Sequence, residues 1–586
     1  MPVSDQAPLS QNDNDNETDN DNESDTTLKL FDGVIESPDL KWYPCKKVDD
    51  KTRASKVKCA KLTVPLDYKN PGNGLKATIP IVKYLAAKGV PYKGSILFNP
   101  GGPGALGTES AYDISQTEQM ASNITGPGWD ILGFDPRGIG YSTPHANCTL
   151  TDTNSDIEKR DTSRIRRFKN STLENDKVFG LYLPRDPTQF TDEKMEMVES
   201  GAASCATSEN QAARYMNTPV VATDMLSIAK ALAREKGKSD ADAEIKLNYY
   251  GMSYGTILGQ YFASLYPANV GRFVLDAVAD AEQWISNDDD TESIKHADEA
   301  FSRFFPLCFK AGPKRCTFAE GAKSTSDLIN RFNNMTIKLN AREYEATKSP
   351  AASIVERVLN DFYSKIFMSL YAPHNWWQLA DWLVKVEELI TPKNPANWPL
   401  AEVLGAWDNV TAPAEETEED SSHGDVAHIP ADVHAHIPFQ PGWGGLEQVK
   451  CSDSRNISGS VISPQEEERW YKTSRLAGSS GLSAKVTCIK WQVRPAWEWY
   501  GPIGGSTATP ILFVGNHLDP VTPFESAERA AKLFKGAQTV YVDEIGHTVL
   551  GTSNTCAMKH AQAYFQDGTL PGPDTRCKPE RQPFEL

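Results

Sequence analysis

Short apolar runs that end at turn residues recur along this chain, and the pattern between them changes twice. Residues 94–99, 129–134, 247–251, 272–276, 510–515 and 538–543 are each rich in Ile, Leu, Val, Phe or Tyr and each run into Gly, Pro, Asn or Asp. Such runs predict buried strands. Residues 62–64 and 77–84 read as antiparallel lead-in strands before them. Up to about residue 280 the strands alternate with helical spacing, which predicts a mostly parallel sheet covered by helices on both faces. From about 281 to 495 the helical period takes over, with predicted helices at 288–305, 353–370 and 374–390, the last carrying Trp376, Trp377 and Trp382 as expected core. After Pro495 the strand–helix alternation resumes, so the α/β core is discontinuous in sequence.

The turns after these strands carry the candidate chemistry. Leu247-Asn-Tyr-Tyr-Gly251-Met-Ser253-Tyr-Gly255 ends a β-prone run at a glycine, turns around one serine, and enters a helix-compatible stretch through Gln260, Ala263 and Leu265. A serine between two glycines at that junction is the form of a nucleophile elbow, in which any Cβ on the flanking residues collides with backbone. The helix start behind it offers N–H groups and partial positive charge to a developing oxyanion. The motif is not specific by itself, because a chain with 40 glycines produces a G-x-S-x-G by chance. Three further segments supply context. Asn99-Pro-Gly101-Gly102-Pro103-Gly104 follows a strand and places Gly101 or Gly102 as a backbone donor to complete an oxyanion hole with the N–H of Tyr254. Asp135-Pro-Arg137 follows the next strand and reads as a structural tie through the Arg137 fork and the Asp135 carboxylate. Downstream, Asp519 and His547 each stand just past a strand, where open α/β sheets build their sites. The order Ser253, Asp519, His547 is that of one of the convergent serine triads. His517 is the competing imidazole, two residues before the acid.

These residues carry a resemblance. The chain resembles the tripeptidyl aminopeptidase branch of the α/β-hydrolases, related to proline iminopeptidases, in outline from Trp42 through Cys577. The markers are Cys59-Ala-Lys-Leu-Thr-Val-Pro65-Leu-Asp-Tyr68, the Asn99–Gly104 loop, residues 135–142, residues 251–255, and Asp519-Pro-Val-Thr-Pro523. The resemblance implies an α/β-hydrolase fold with a large helical cap inserted before the acid-bearing strand, a TAP-like C-terminal part, and Ser253, Asp519 and His547 as the triad. It also implies pairing of the ten cysteines as sequence neighbours: Cys45–Cys59, Cys148–Cys205, Cys308–Cys316, Cys451–Cys488 and Cys556–Cys577. Two positions depart from it. Pro100 stands where proline iminopeptidases have histidine, and Thr548 follows His547 where relatives often have glycine.

The expected organisation is an acidic tail at 1–40, a first core part at 41–280, a helical cap at 281–495 with an acidic and His-rich loop near 409–441, and a second core part at 496–586. Net charge is −18, but Asp5, Asp13, Asp15, Glu17, Asp19, Asp21, Glu23 and Asp25 together with Glu415, Glu416, Glu418, Glu419 and Asp420 account for 13 of those charges. The body is therefore only mildly acidic, and nothing resembles the basic patch that nucleic-acid binding requires. The tail has the composition of a disordered segment. His423, His428, His434 and His436 match no metal-ligand spacing and read as a solvated loop. No metal or organic cofactor is expected. Ten cysteines without a CxxC pair favour disulfides and an oxidising compartment, and sequons at Asn123, Asn147, Asn170, Asn334, Asn409 and Asn456 are compatible with a secreted glycoprotein. Against this, the first 30 residues contain no apolar h-region, so an intracellular protein with reduced thiols is the alternative. No run of about 18 apolar residues predicts a membrane span.

Taken together, the expectation is a serine hydrolase that acts on a peptide or ester substrate through an acyl-enzyme. The finer expectation, an exopeptidase at free peptide N-termini, follows from the resemblance. It requires a carboxylate for the substrate ammonium, with Glu282, Asp288, Asp289, Asp290 and Glu292 as candidates. The rivals are a carboxylesterase on the same scaffold and an inactive hydrolase-fold binding protein. The oligomeric state is not readable from the residues.

Overall fold

The structure is a computed structural model that describes residues 30–46, 55–146, 177–183, 202–203, 205–239, 245–287, 290–346, 352–390, 407 and 445–585. Residues 1–29 of the expected 1–40 tail, all of the 409–441 loop, Asp288, Asp289, Cys148 and the sequons at Asn147, Asn170 and Asn409 lie outside the described residues, whereas 30–40 are described and include β-strand residues Glu36–Ser37.

One 11-stranded sheet organises the molecule. Its strands are β1 (Glu36–Ser37), β2 (Tyr43–Pro44), β3 (Val57–Pro65), β4 (Lys76–Tyr84), β5 (Gly94–Asn99), β6 (Trp129–Phe134), β9 (Leu247–Met252), β10 (Val270–Asp276), β11 (Leu512–Leu518), β12 (Gln538–Ile545) and β13 (Thr575–Cys577), while β7 (Lys177–Val178) and β8 (Leu181–Tyr182) form a separate hairpin. The order is β1-β3-β4-β6-β5-β9-β10-β11-β12-β13, with β2 on β3. β3, β4 and β6 pair antiparallel as the lead-in, and from β6 to β13 every neighbouring pair is parallel. The α/β fold class expected from the alternation is present.

Strand chemistry explains the architecture. β6 is buried at every residue and β5, β9 and β10 at nearly every one, as parallel strands covered on both faces must be. Successive side chains go to opposite faces. Leu97, Tyr249, Phe273, Leu275 and Phe513 join one core with the helices Thr218–Glu235, Tyr254–Leu265 and Phe524–Leu533. Ile96, Phe98, Tyr250, Val274, Leu512 and Val514 join the other with the helix Thr555–Asp567.

Between β10 and β11 the helices build a third core of their own, around Phe301, Phe304, Phe305, Phe332, Phe362, Trp376, Trp382 and Trp407. Leu518 at the end of β11 belongs to it, so the insertion rests on the strand that leads to Asp519. Two predicted helices appear at Ala352–Ser369 and Trp376–Ile390. The one expected over 288–305 is instead a 3-10 turn at Thr291–Ile294 followed by Ala297–Ser302 and Phe304–Ala311. Pro306 has no N–H for the Ser302 carbonyl and disfavours helical geometry just before it, so it fits only the first turn of a new helix. Trp376 and Trp382 are core, as expected, but Trp377 is 41 % exposed.

Four of the five neighbour-pair disulfides are present: Cys45–Cys59, Cys308–Cys316, Cys451–Cys488 and Cys556–Cys577. Cys205 is also disulfide-bonded. No described helix is long and apolar enough to cross a membrane.

Candidate active site

Because β5, β9, β10, β11 and β12 are parallel, the loops after them meet along one edge of the sheet. Those loops carry Asn99–Gly104, Ser253, Asp276, Asp519 and His547.

Ser253 joins β9 to the helix Tyr254–Leu265 with φ 54° and ψ −122°, a conformation that costs a non-glycine residue about 1–3 kcal/mol. The surroundings hold it there. Its N–H donates to the Asp276 carbonyl (3.0 Å), and its own carbonyl accepts from the Thr256 N–H and hydroxyl (2.8 and 2.6 Å). The flanking glycines are steric requirements. A Cβ on Gly251 would stand 2.5 Å from the Gly255 carbonyl, and one on Gly255 would stand 2.8 Å from the Asn99 carbonyl. The oxyanion loop packs as closely on the turn, since a Cβ on Gly101 would meet the Met252 carbonyl at 2.6 Å and Ser253 Cβ at 2.8 Å.

Of the two glycines expected to donate to an oxyanion, Gly101 has its N–H committed to Asn99 Oδ1 (3.0 Å). That bond occupies the Gly101 N–H within the loop. Gly102 is exposed at the open side of the loop, and Tyr254 opens the helix behind the serine.

His547 and Asp519 meet directly. Nδ1 of His547 lies 2.9 Å from Asp519 Oδ2 and 3.1 Å from Oδ1, with both residues buried. Asp519 also accepts from the backbone of Val521 (3.0 Å) and Thr522 (2.8 Å) and from the Thr522 hydroxyl (2.9 Å). Those donors fix the plane of the carboxylate. The Thr522 hydroxyl is also 3.2 Å from His547 Nδ1. Thr522 was not singled out as a site residue, although it stands in the Asp519-Pro-Val-Thr-Pro523 run.

The loop bearing His547 is held from several sides. Asn516 Nδ2 donates to the carbonyls of Gly546 (2.9 Å) and Thr548 (3.1 Å), and the His547 N–H donates to the Tyr371 carbonyl (3.0 Å). Thr548 has φ 69°, a conformation that favours glycine, and its hydroxyl accepts from the Gly551 N–H (2.9 Å) as the cap of the next short helix.

Asp276 was read only as the end of a strand, yet it joins the two loops. Its carbonyl holds Ser253, while its buried carboxylate accepts from the Val549 N–H (2.9 and 3.0 Å) and the Tyr250 hydroxyl (2.8 Å). Burial raises this carboxyl to about 6, against the opposing pull of those donors and of nearby His547.

The remaining candidates lie elsewhere. Arg137 makes a two-point ion pair with Asp224 (2.6 and 2.8 Å), whose carboxylate also accepts from Tyr68 (2.6 Å). Asp135 accepts from Thr108 and the Tyr141 N–H, and burial raises it to about 7. The two groups thus perform separate structural tasks beside the site. The His517 ring packs 5.6 Å from both His296 and Tyr541. Glu282 and Glu292 are exposed.

Asp290 is half-buried and lies near Lys450, which belongs to a buried polar cluster with Asp453 and Trp284. Lys450 donates to the Trp284 carbonyl (3.0 Å) and sits 4.4 Å above its ring. Asp453 accepts from the Trp284 indole (2.8 Å) and from the Thr218 N–H and hydroxyl (2.7 and 2.6 Å). Trp284 packs on the ring of Tyr254, the residue after the serine, at 5.7 Å. Burial raises Asp290 and Asp453 each to about 6 and lowers Lys450. Nothing in the sequence pattern brought Lys450 and Asp453 to the elbow, because both lie some 200 residues downstream of it.

Comparison with known proteins agrees with this construction. Residues 94–367 match the family described as alpha/beta hydrolase fold, and residues 474–577 match the TAP-like protein family. Serine protease Hip1 of Mycobacterium tuberculosis is 26% identical over 548 residues, 92% of this chain and 91% of that protein. The tripeptidyl aminopeptidase of Streptomyces lividans is 22% identical over 540 residues, 90% of this chain and 84% of that protein. Carboxylesterase B of Mycobacterium tuberculosis is 24% identical over 563 residues, 93% of this chain and 91% of that protein.

Proposed function

We propose that this chain, a serine hydrolase of the α/β-hydrolase fold with a TAP-like C-terminal part, is an aminopeptidase that releases short fragments from free peptide N-termini. Ser253 Oγ attacks the scissile carbonyl carbon, and His547 accepts the serine proton and returns it to the leaving amine. Asp519 holds the imidazole in the tautomer with Nδ1 protonated and stabilises the imidazolium. The N–H groups of Gly102 and Tyr254 hold the oxyanion, Gly101 being occupied by Asn99. Water then attacks the acyl-enzyme by the same steps in reverse. The observation that carries the acyl-transfer part is the buried His547–Asp519 pair at the sheet edge that also bears the strained serine turn.

The peptide reading rests on charge. Asp290 feels Lys450 together with Asp280 and Arg529, which are paired with each other (2.7 Å), and Asp453 feels Lys450. Of this group, the three carboxylates of Asp280, Asp290 and Asp453 outnumber the two cations of Lys450 and Arg529 by one beside the wall formed by Trp284 and Tyr254, and burial is what chiefly raises Asp290 and Asp453. A substrate ammonium supplies the third cation, and a partly buried pair of this kind is worth far more than a surface one. We assign Asp290, the less fully bonded of the two, as the residue nearest this role.

The test compares one peptide with a free and an acetylated N-terminus, both bearing the same chromogenic leaving group. The free form is expected to be turned over much faster. Its KM is expected to rise as pH falls through about 6, where protonation removes the excess charge, and KM for the acetylated form to stay level. Equal rates, or faster hydrolysis of simple acyl esters, support the carboxylesterase reading, which the 24% identical Carboxylesterase B favours. Failure to label with a fluorophosphonate supports an inactive binding protein. The disulfides support an oxidising, extracellular compartment in this reading.

A further inference from the structure

We propose that Tyr371, a residue of the helical insertion, is a positioning residue for His547, so that the insertion is part of the catalytic centre as well as its cover. The proposal rests on the acyl-transfer reading above, because it assigns Tyr371 its role relative to His547 as the base.

Tyr371 lies in the bend between the helix Ala352–Ser369 and the 3-10 turn Pro373–Asn375. Its carbonyl takes the His547 N–H at 3.0 Å, and its ring meets the imidazole edge-on, with centroids 4.8 Å apart and planes at 69°. The contact extends along the bend. A Cβ on Gly546 would stand 2.8 Å from Pro373 Cδ and 3.3 Å from the Tyr371 carbonyl, so the residue before the histidine is pressed against the insertion.

The bend is itself anchored. Trp376 is fully buried in the insertion's own core and its indole donates to the Ser369 carbonyl (3.0 Å), while the Phe367 ring stands 5.9 Å from that of Tyr371. A fixed aromatic therefore presses on a ring that must hold one orientation.

An imidazole hydrogen-bonded only through Nδ1 keeps freedom to pivot about that bond. Asp519 and Thr522 fix the Nδ1 end. Restriction of the pivot requires a neighbour against the ring, and Tyr371 supplies it from the insertion. Misplacement of a catalytic group by about 1 Å costs on the order of 10²-fold in rate, so removing the ring should register in kcat more than in KM.

The experiment uses the full-length protein with Tyr371→Ala, Tyr371→Leu and Tyr371→Phe, with His547→Ala as control. We expect Ala and Leu to lower kcat about 10- to 100-fold with KM within about threefold. Phe, which keeps the ring, should restore kcat to within about threefold of wild type. The low-field proton signal of the His547 Nδ1–H···Asp519 bond should persist in Phe and broaden or shift in Ala and Leu, a change that a merely structural role does not produce. Leu retains apolar bulk, so the comparison of Leu with Phe stands even if Ala does not fold. The proposal is overturned if folded Leu or Ala keeps wild-type kcat and the low-field signal, or if Phe is as impaired as Leu. Retained activity in His547→Ala would overturn the acyl-transfer reading itself, which is a distinguishable result.

Discussion

Replacing Asp276 by Asn should separate stability from turnover. The carboxyl is fully buried and stands at about 6 in the folded protein, against an ordinary 3.8. A group whose folded pKa is raised binds its proton more tightly when folded, so the protein loses stability as pH rises from about 4 to about 6. Two units correspond to about 3 kcal/mol at neutral pH. Asn removes that penalty and still serves both partners, its Oδ1 accepting from Val549 and its Nδ2 donating to the Tyr250 oxygen, with about 1 kcal/mol lost through weaker bonds. At pH 7.5 the variant should therefore melt no lower than wild type, and at pH 4 the difference should turn against it. Turnover should move the other way. The Val549 N–H then meets a neutral acceptor, the anchor of the His547 loop weakens by about 1 kcal/mol, and the negative charge that favours the nearby imidazolium is gone, together about 5- to 10-fold in kcat. Melting curves at the two pH values and kcat at pH 7.5 decide the matter. A melting temperature lowered equally at both pH values would refute the buried-charge argument. An unchanged kcat would refute the link between the two loops.

Ser253→Ala or His547→Ala should lower turnover by about 10⁴- to 10⁶-fold with the fold intact, whereas His517→Ala should change kcat little, since His517 packs on His296 and Tyr541; parity of the two histidine variants in a steady-state assay would reassign the base. Thr548→Gly relieves a left-handed threonine, worth about 1–3 kcal/mol, and gives up the cap on Gly551, worth about 1 kcal/mol, while Thr548→Ala keeps the strain and loses the cap. The Ala variant should accordingly melt lower than the Gly variant, and the reverse order would show that the backbone there is not strained. Reductant should lower the melting temperature clearly, because each native bridge contributes about 2–5 kcal/mol, and an unchanged melting temperature with the thiols shown to be free would count against a structural role for the disulfides.

What was legible in the chain and what was not divides along physical lines. The parallel strands could be read because burial on both faces forces continuous apolar runs, and the triad could be read because each member stands one turn past such a run. The helix Thr325–Ala346 was overlooked, though its buried Leu328, Phe332, Met335 and Leu339 recur at helical spacing, because Asn, Arg and Lys between them dilute the apolar signal. Asp276, Thr522, Asp453 and Tyr371 could not be assigned in the same way, since each acts through a partner brought to it by the fold. Asp276 meets Val549 from 273 residues away, and Asp453 meets Thr218 from 235.

The same distinction explains where strain collects. Ser253 and Thr548 hold positive φ at the sheet edge, and Ala277 does so directly after Asp276. The positive φ is unfavourable for each of the three, although Ser253 and Thr548 use their side chains there, Thr548 as the cap on Gly551. Their conformations persist because bonds from neighbouring strands over-determine them: Asp276 to Ser253, Val514 to Ala277, and Asn516 to Thr548. The central sheet therefore does more than present the catalytic loops. Its backbone carbonyls at Asp276 and Val514 and the buried Asn516 side chain hold them in conformations the loop sequences alone would not adopt, through bonds that join elements apart in the chain.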